Sequence, residues 1–293
     1  MQAGEGAGMN GSTSPMLLRR RLRTELRTAR LKSNLTQEQV AKAMEWSLSK
    51  MNRIEQAKSG ISANDLRALL ALYNVTDKKQ AEELATLART SKQKPWWRQR
   101  YGDIAPKGLL RLMDYESAAS AISQFETTLV PGILQTEEYA LAVLQVFYDE
   151  ESSADRMAEL RTARRELLAS QDAPSFSFVM DESVIRRVVG SPSISQRQFG
   201  HLIDMAELPN VTIQIVPFSA SVHPGVKGSF KIVEFEDAPD ESILFLESPH
   251  GDFISDDPQE ARNYLEAFRR IQAKSFSPHR SADVLRKALS EMT

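Results

Sequence analysis

Hydrophobic residues in the first third of the chain recur at intervals of three and four positions, which is the period of an amphipathic helix. In the first such run, residues 16–32, one face is formed by Leu18, Leu22, Leu26 and Ala29. The same spacing recurs in residues 36–44, 47–55, 62–72 and 76–90. Short polar residues precede these four runs as candidate N-caps: Thr36, Ser47, Ser62 or Asn64, and Thr76. The pattern therefore predicts five helices up to about residue 90.

The period changes in the remaining two thirds. Alternating or β-branched runs predict four strands, at residues 175–180, 211–218, 229–235 and 242–248. Helical spacing predicts helices at residues 109–126, 136–148, 153–170, 185–189 and 195–208, a core helix from Pro258 and a short helix from Ser281. We therefore expect an α+β protein: an all-α five-helix N-terminal domain, then an α+β C-terminal domain with a small, mostly antiparallel sheet.

Charge divides along the chain in the same way, although the net charge is only −2. Residues 1–101 contain 19 Lys and Arg against 9 Asp and Glu, whereas residues 102–293 contain 18 against 30. Chance clustering on solvated faces would also produce such a division. Because the basic part coincides with the helical part, we infer that the first third faces a polyanion.

The third predicted helix carries its polar residues together. With Met51 and Ile54 packed inward, the exposed set is Ser49, Lys50, Asn52 and Arg53. Donors and cations on one helix face suit the major groove of DNA, and Arg53 is the best candidate for a guanine or phosphate contact. Leu48 either joins the core or touches a thymine methyl group.

The first helix carries four arginines close together: Arg19, Arg20, Arg21 and Arg23. They either contact phosphates near the edge of the groove or form a solvated basic face.

Residues 35–60, LTQEQVAKAMEWSLSKMNRIEQAKSG, resemble the helix-turn-helix domain of the phage-repressor and xenobiotic-response-element family. The resemblance implies that Gln37, at the start of the second helix, hydrogen-bonds a phosphate. It also implies that Arg30 and Glu55 form a structural ion pair between the first and third helices. The DNA-binding residues that it implies are Gln37, Ser47, Leu48, Ser49, Lys50, Asn52, Arg53 and Lys58. The turn position that is usually Gly is Glu45 here, which predicts strain or a slightly wider turn.

Four later segments resemble the C-terminal domain of the WhiJ-type actinobacterial regulators. They are FETTLVPGILQTEEYA (125–140), FVMDESVIRRVVG (178–190), AELPNVTIQIVPF (206–218) and SVHPGVKGSFKIVEF (221–235). With the helix-turn-helix, the resemblance extends from about Leu17 to Leu289. That C-terminal domain has no assigned chemistry. The resemblance implies a small partner protein encoded nearby, in an antitoxin-like arrangement.

The predicted domains are a disordered tail (1–14), a helix-turn-helix domain (15–91), a junction (92–108) and a domain for sensing, dimerisation or partner binding (109–293). The junction contains Trp96, Trp97 and Tyr101. These rings either stack on single-stranded nucleic acid or dock the helical domain onto the rest of the chain. We favour docking.

The sequence offers little for catalysis. Zero cysteines exclude disulfides, thiolate zinc sites and cysteine nucleophiles, and fit a reducing compartment. Glu247, His250 and Asp252 lie close together and invite a metal or acid–base interpretation, but no catalytic sequence motif is present. We expect no enzyme activity, no metal and no cofactor.

A ligand or partner site is a further hypothesis for the C-terminal domain. The segment from His223 to Gly228 would form a lip over a pocket lined by Tyr139, Phe218 and Phe230. The alternative, an ordinary hairpin loop, is favoured by sequence alone.

Together these patterns predict a cytoplasmic transcriptional regulator that binds double-stranded operator DNA as a homodimer. A small-molecule ligand or a partner protein would modulate it through the C-terminal domain. The alternative is an antitoxin-like interaction module that binds a small partner protein and regulates its own operon. No membrane span or signal-peptide core is present in the sequence.

Overall fold

A computed structural model describes residues 15–148, 151–170, 172–236, 241–247 and 252–292. The predicted tail at residues 1–14 lies outside the described residues. The chain forms two compact units, Met1–Gln99 and Arg100–Thr293, called here the N-terminal and C-terminal units. The division falls within the predicted junction.

The N-terminal unit consists of the five predicted helices and a short sixth helix that crosses the boundary. They are α1 (Pro15–Lys32), α2 (Gln37–Ala43), α3 (Leu48–Glu55), α4 (Ala63–Leu72), α5 (Lys78–Thr90) and α6 (Trp96–Arg100). The predicted caps at Thr36, Ser47 and Ser62 are confirmed, and Thr36 forms a complete capping box with Gln39. The prediction of Thr76 as the fifth cap is wrong, because Asp77 accepts the hydrogen bond from the Lys79 amide.

Four of these helices end in the same left-handed turn without a glycine. Asn34, Glu45, Ala57 and Asn74 follow α1 to α4, each with φ of 54°. In each turn the amide of the next residue donates to a carbonyl five positions earlier, as in the hydrogen bond from Trp46 to Ala41 (2.8 Å). This closure satisfies carbonyls that a helix end otherwise leaves unpaired. The five helices enclose one apolar core, in which Leu26, Met51 and Leu69 are fully buried.

The C-terminal unit is a mixed sheet with helices around it. Its helices are α7 (Lys107–Glu116), α8 (Glu137–Leu144), α9 (Glu151–Arg164), α10 (Glu182–Arg186), α11 (Pro192–Met205), α12 (Pro258–Gln272) and α13 (Pro278–Glu291). Its strands are β1 (Ala121–Glu126), β2 (Ser175–Asp181), β3 (Val211–Val216), β4 (Phe230–Glu234), β5 (Ile243–Leu246) and β6 (Phe253–Ser255). None of the helices in the described parts of the chain is long and apolar enough to cross a membrane.

The expectation of a small, mostly antiparallel sheet is wrong. Six strands form the order β3-β2-β1-β4-β5-β6. Strands β1, β2 and β3 are parallel, whereas β4, β5 and β6 each pair antiparallel with the preceding neighbour in the sheet. The two connections between the parallel strands carry helices α8 to α11, which is the kind of crossover that parallel pairing requires.

Strand β1 explains this error. The predicted helix at 109–126 is α7 followed by β1, whose middle residues Ser123 and Gln124 are buried polar side chains. A central strand that is buried on both faces shows no alternation of apolar and polar residues, so its sequence pattern does not predict a strand.

Three further predictions also differ from the structure. Strand β6 was not predicted. The predicted cap Ser153 lies inside α9, and α13 begins at Pro278, before the expected Ser281.

The two faces of the sheet differ in chemistry. Helix α12 covers an apolar face in which Phe125, Phe230 and Phe268 are buried. On the other face, the buried carboxylate of Glu116 from α7 accepts hydrogen bonds from Arg164 of α9 (2.8 and 2.9 Å) and Lys231 of β4 (2.6 Å). Burial alone would raise the pKa of Glu116, but the two cations outweigh it and hold the pKa at about 2. This cluster joins two helices to the middle of the sheet.

Replacing Glu116 by Gln should destabilise the C-terminal unit by about 3–5 kcal/mol at neutral pH, because two buried cations lose their counter-charge. The pKa of Glu116 is lowered by folding, so its contribution is present above about pH 4.5 and is lost as the pH falls toward 2. The difference between variant and wild type should shrink over that range. Hydrogen exchange of the β1 and β4 amides measures it.

The matched control is Glu138→Gln, which removes an exposed carboxylate paired with Arg197. An exposed pair contributes less than about 1 kcal/mol, so exchange should hardly change. Equal effects of the two substitutions would contradict the role assigned to Glu116.

Candidate nucleic-acid interface and ligand groove

The turn between α2 and α3 holds the two helices in a fixed relation. Glu45 adopts φ of 54°, its amide donates to Lys42, and the Trp46 amide donates to Ala41. These bonds form a complete Schellman closure. The turn is therefore of ordinary width, and the alternative of a wider turn is wrong. The side chain of Ser47 then caps α3 by accepting from the Lys50 amide (3.1 Å).

Helix α3 separates an inner face from an outer face. Met51, Ile54 and Glu55 are buried, while Ser49 and Arg53 are exposed and Asn52 is half-buried. Leu48 is 41% exposed, so the structure places it at the surface and not in the core. The side chain of Arg53 makes no hydrogen bond or ion pair within the described residues. Lys58, just beyond α3, is also exposed.

Lys50 is held by two neighbours that the sequence did not reveal. Its Nζ lies 3.1 Å from Asp65 Oδ2 of α4 and 4.0 Å from the centre of the Trp46 ring. A cation over an aromatic face and beside a carboxylate is attracted by both. Two interactions therefore restrain the side chain of Lys50.

Arg30 and Glu55 form the predicted structural ion pair. Arg30 Nε and Nη2 donate to the two oxygens of Glu55 (2.6 and 3.1 Å), and Nη1 donates to the Leu35 carbonyl (2.7 Å). Both side chains are buried, and the hydrogen bond to Glu55 raises the pKa of Arg30. Gln37 Nε2 also donates to Glu55 (2.6 Å). That bond fixes the amide of Gln37 at the start of α2 and uses only one of its two N–H donors.

The arginines of α1 occupy different environments. Arg20 and Arg23 are buried, and Arg19 Nε donates to the Ser91 carbonyl (3.0 Å). Of the four, Arg21 alone is exposed in the described structure. The expectation that all four reach phosphates, or form one solvated face, is therefore wrong.

The aromatic residues of the junction are largely enclosed. Trp97 and Tyr101 are buried, and the Tyr101 hydroxyl donates to Glu159 (3.4 Å). The faces of Trp97 and Tyr101 are therefore not available for stacking on bases, whereas Trp96 is half-buried.

The predicted pocket residues of the C-terminal unit do not all come together. A groove of about 800 Å³ is lined by His223 and Phe230, as expected, together with residues of β5, β6 and α12. Tyr139 lies in the core, where the Val130 amide donates to its hydroxyl (3.4 Å), and Phe218 is exposed outside the groove lining. The prediction that Tyr139 and Phe218 line the pocket is therefore wrong. Tyr264, Arg270 and Val226 take their place in the lining.

The candidate metal residues are only partly described. Glu247 is exposed, and burial and the charge of Glu247 raise the pKa of Asp252. His250 lies outside the described residues. Within the described ranges no group of three His, Cys, Asp or Glu side chains is arranged to hold a metal ion.

Comparison with known families defines both parts of the chain. Residues 109–287 match the model of a domain of unknown function, DUF5753. The chain belongs to the DUF5753 family. Residues 21–84, ahead of the DUF5753 domain, match a helix-turn-helix domain model. These matches confirm the predicted architecture of a helix-turn-helix followed by a C-terminal domain of unassigned chemistry. No curated protein and no solved structure matches the chain significantly.

Replacing Glu45 by Gly should stabilise the N-terminal unit by about 1 kcal/mol, because glycine adopts the left-handed conformation without the penalty of a side chain. All three tryptophans precede residue 100, so urea unfolding followed by tryptophan fluorescence reports on this unit. Glu38→Gly, inside α2, is the control and should destabilise by about 1 kcal/mol. A loss of stability in Glu45→Gly would contradict the assigned turn.

Proposed function

We propose that this DUF5753 protein is a transcriptional regulator that reads double-stranded operator DNA with the outer face of α3. One observation carries the proposal. Helix α3 presents Ser49, Arg53 and an apolar Leu48 to solvent, while its opposite face is fixed in the core. Hydrogen-bond donors and a guanidinium recognise base edges, and an aliphatic side chain recognises thymine methyl groups. The matched helix-turn-helix domain supports DNA binding in general.

Contacts to the DNA backbone come from the surroundings of α3. Gln37, at the start of α2, and the exposed Lys58, after α3, would meet phosphates beside the recognition helix. Lys50, already held by Asp65 and Trp46, contributes its charge more than a base-specific contact. The excess of basic residues in residues 1–101 would strengthen binding at low salt.

One recognition helix covers only a few base pairs, so the proposal includes a two-fold dimer. Its two α3 helices would occupy half-sites about 34 Å apart on one side of the duplex. The DUF5753 domain would then provide the dimer contact or receive a signal, with no catalytic step.

A second candidate function is an antitoxin-like interaction with a small protein. The adjacent Val146 and Phe147, just after α8, are among the most exposed large apolar side chains in the described structure. Adjacent exposed apolar side chains would be covered by contact with a partner protein. In that case DNA binding would serve autoregulation.

Replacing Arg53 by Ala should weaken binding to the preferred duplex by about 1–3 kcal/mol, because Arg53 supplies a base or phosphate contact. The preferred duplex is first selected from a random-sequence pool with the wild-type full chain, and affinities are then measured by mobility shift at fixed salt.

Arg67→Ala is the matched control, since it removes an exposed arginine from α4, outside α3. It should leave the affinity nearly unchanged. Equal affinities of Arg53→Ala and the wild type would refute the assignment of Arg53.

A further inference from the structure

We propose that the groove of the C-terminal unit binds a small amphipathic anion, a molecule with an apolar chain and one negatively charged head group. The groove lies between residues 222–230, the facing parts of β5 and β6, and α12. Its volume of about 800 Å³ is in the range of small-molecule sites. We call it the α12 groove.

The walls of the α12 groove are apolar and exposed. Val222 and Val226 are 74% and 63% exposed, and Phe253 of β6 is also exposed. The floor contains Phe230, whose ring lies 5.0 Å from that of Tyr264 in an edge-to-face contact. Apolar side chains gathered around a concave surface mark a binding site, whereas isolated ones do not.

The charge of the α12 groove is opposite in sign to the net charge of residues 102–293. Residues 102–293 contain 18 basic against 30 acidic residues, yet the groove is lined by Lys227, Arg270 and Lys274 and by one carboxylate, Glu247. Within the described residues, the side chains of Lys227 and Arg270 make no hydrogen bond or ion pair. These two cations are available to a head group. Because the basic side chains of the lining outnumber its one carboxylate, the α12 groove favours an anion.

The wall formed by residues 222–227 is held in place. Lys274 Nζ donates to the Val222 carbonyl (2.9 Å), and the Gly225 amide donates to His223 Nδ1 (3.2 Å). Gly225 packs so closely on Phe125 that a Cβ there would lie 2.2 Å from the ring. Backbone turns with positive φ at Ser221 and Gly228 bracket the segment. It is therefore a preformed wall and not a free hairpin loop.

A regulatory role for this anion rests on the proposed function, whereas the binding itself does not. The probes are decanoate and decyltrimethylammonium, which have the same ten-carbon chain but opposite charge. Each is titrated into the full chain by calorimetry at submicellar concentration. Decanoate should bind at one site, and the ammonium compound at least about tenfold more weakly, because the head group meets Lys227 and Arg270.

Two surface variants test the location. Val226→Glu places a carboxylate on the wall, and Arg270→Gln removes a head-group cation. Each should weaken decanoate binding about tenfold. The matched controls are Val188→Glu, at another exposed valine, and Arg269→Gln, at the neighbouring exposed position of α12. Both should bind as the wild type does.

Absence of decanoate binding, equal binding of the two probes, or equal losses in variants and controls would overturn the proposal. The same samples are then tested for DNA affinity with and without decanoate. Decanoate binding to a chain that has no affinity for duplex DNA would support the α12 groove and overturn the proposed function alone.

Discussion

The buried ion pair between Arg30 and Glu55 is the constraint on which the DNA-binding surface depends. It joins α1 to α3 through two hydrogen bonds, and Gln37 of α2 donates to the same carboxylate. Breaking such a buried pair costs about 3–5 kcal/mol, so α3 cannot rotate without a large penalty. The pair therefore keeps Met51 and Ile54 inside and Arg53 outside, although both of its own side chains are buried.

The DUF5753 domain uses the two faces of its sheet differently. On one face, the carboxylate of Glu116 accepts hydrogen bonds from both Arg164 and Lys231 and so joins α7 and α9 to the sheet. On the other, Phe230 belongs both to the packed core under α12 and to the floor of the α12 groove. A ligand against this ring would touch the same residues that hold α12 in place. Because Phe230 is shared, binding of a ligand in the α12 groove would change the stability of the domain.

The sequence predicted best where the cause is local. Thr36 and Gln39 are three positions apart, so their capping box is visible without knowledge of the fold. The mixed sheet was missed because β1 is buried on both faces, and the direction of pairing depends on residues far away in the chain. The α12 groove combines three separate segments, so Tyr264 and Arg270 could not be assigned to it beforehand, and Phe218 was assigned to it wrongly.

Directed cleavage of DNA tests whether α3 is the recognition helix. The chain contains no cysteine, so Ser49→Cys introduces a single thiol on the outer face of α3, to which an iron chelate that cleaves DNA can be attached. On the selected duplex, cuts should be confined to the nucleotides that border the major groove of each half-site. The same reagent on Thr86→Cys, at an exposed position of α5 in the N-terminal unit, should give no localised cuts. Cleavage from position 86 but not from position 49 would contradict the assignment of α3 as the recognition helix.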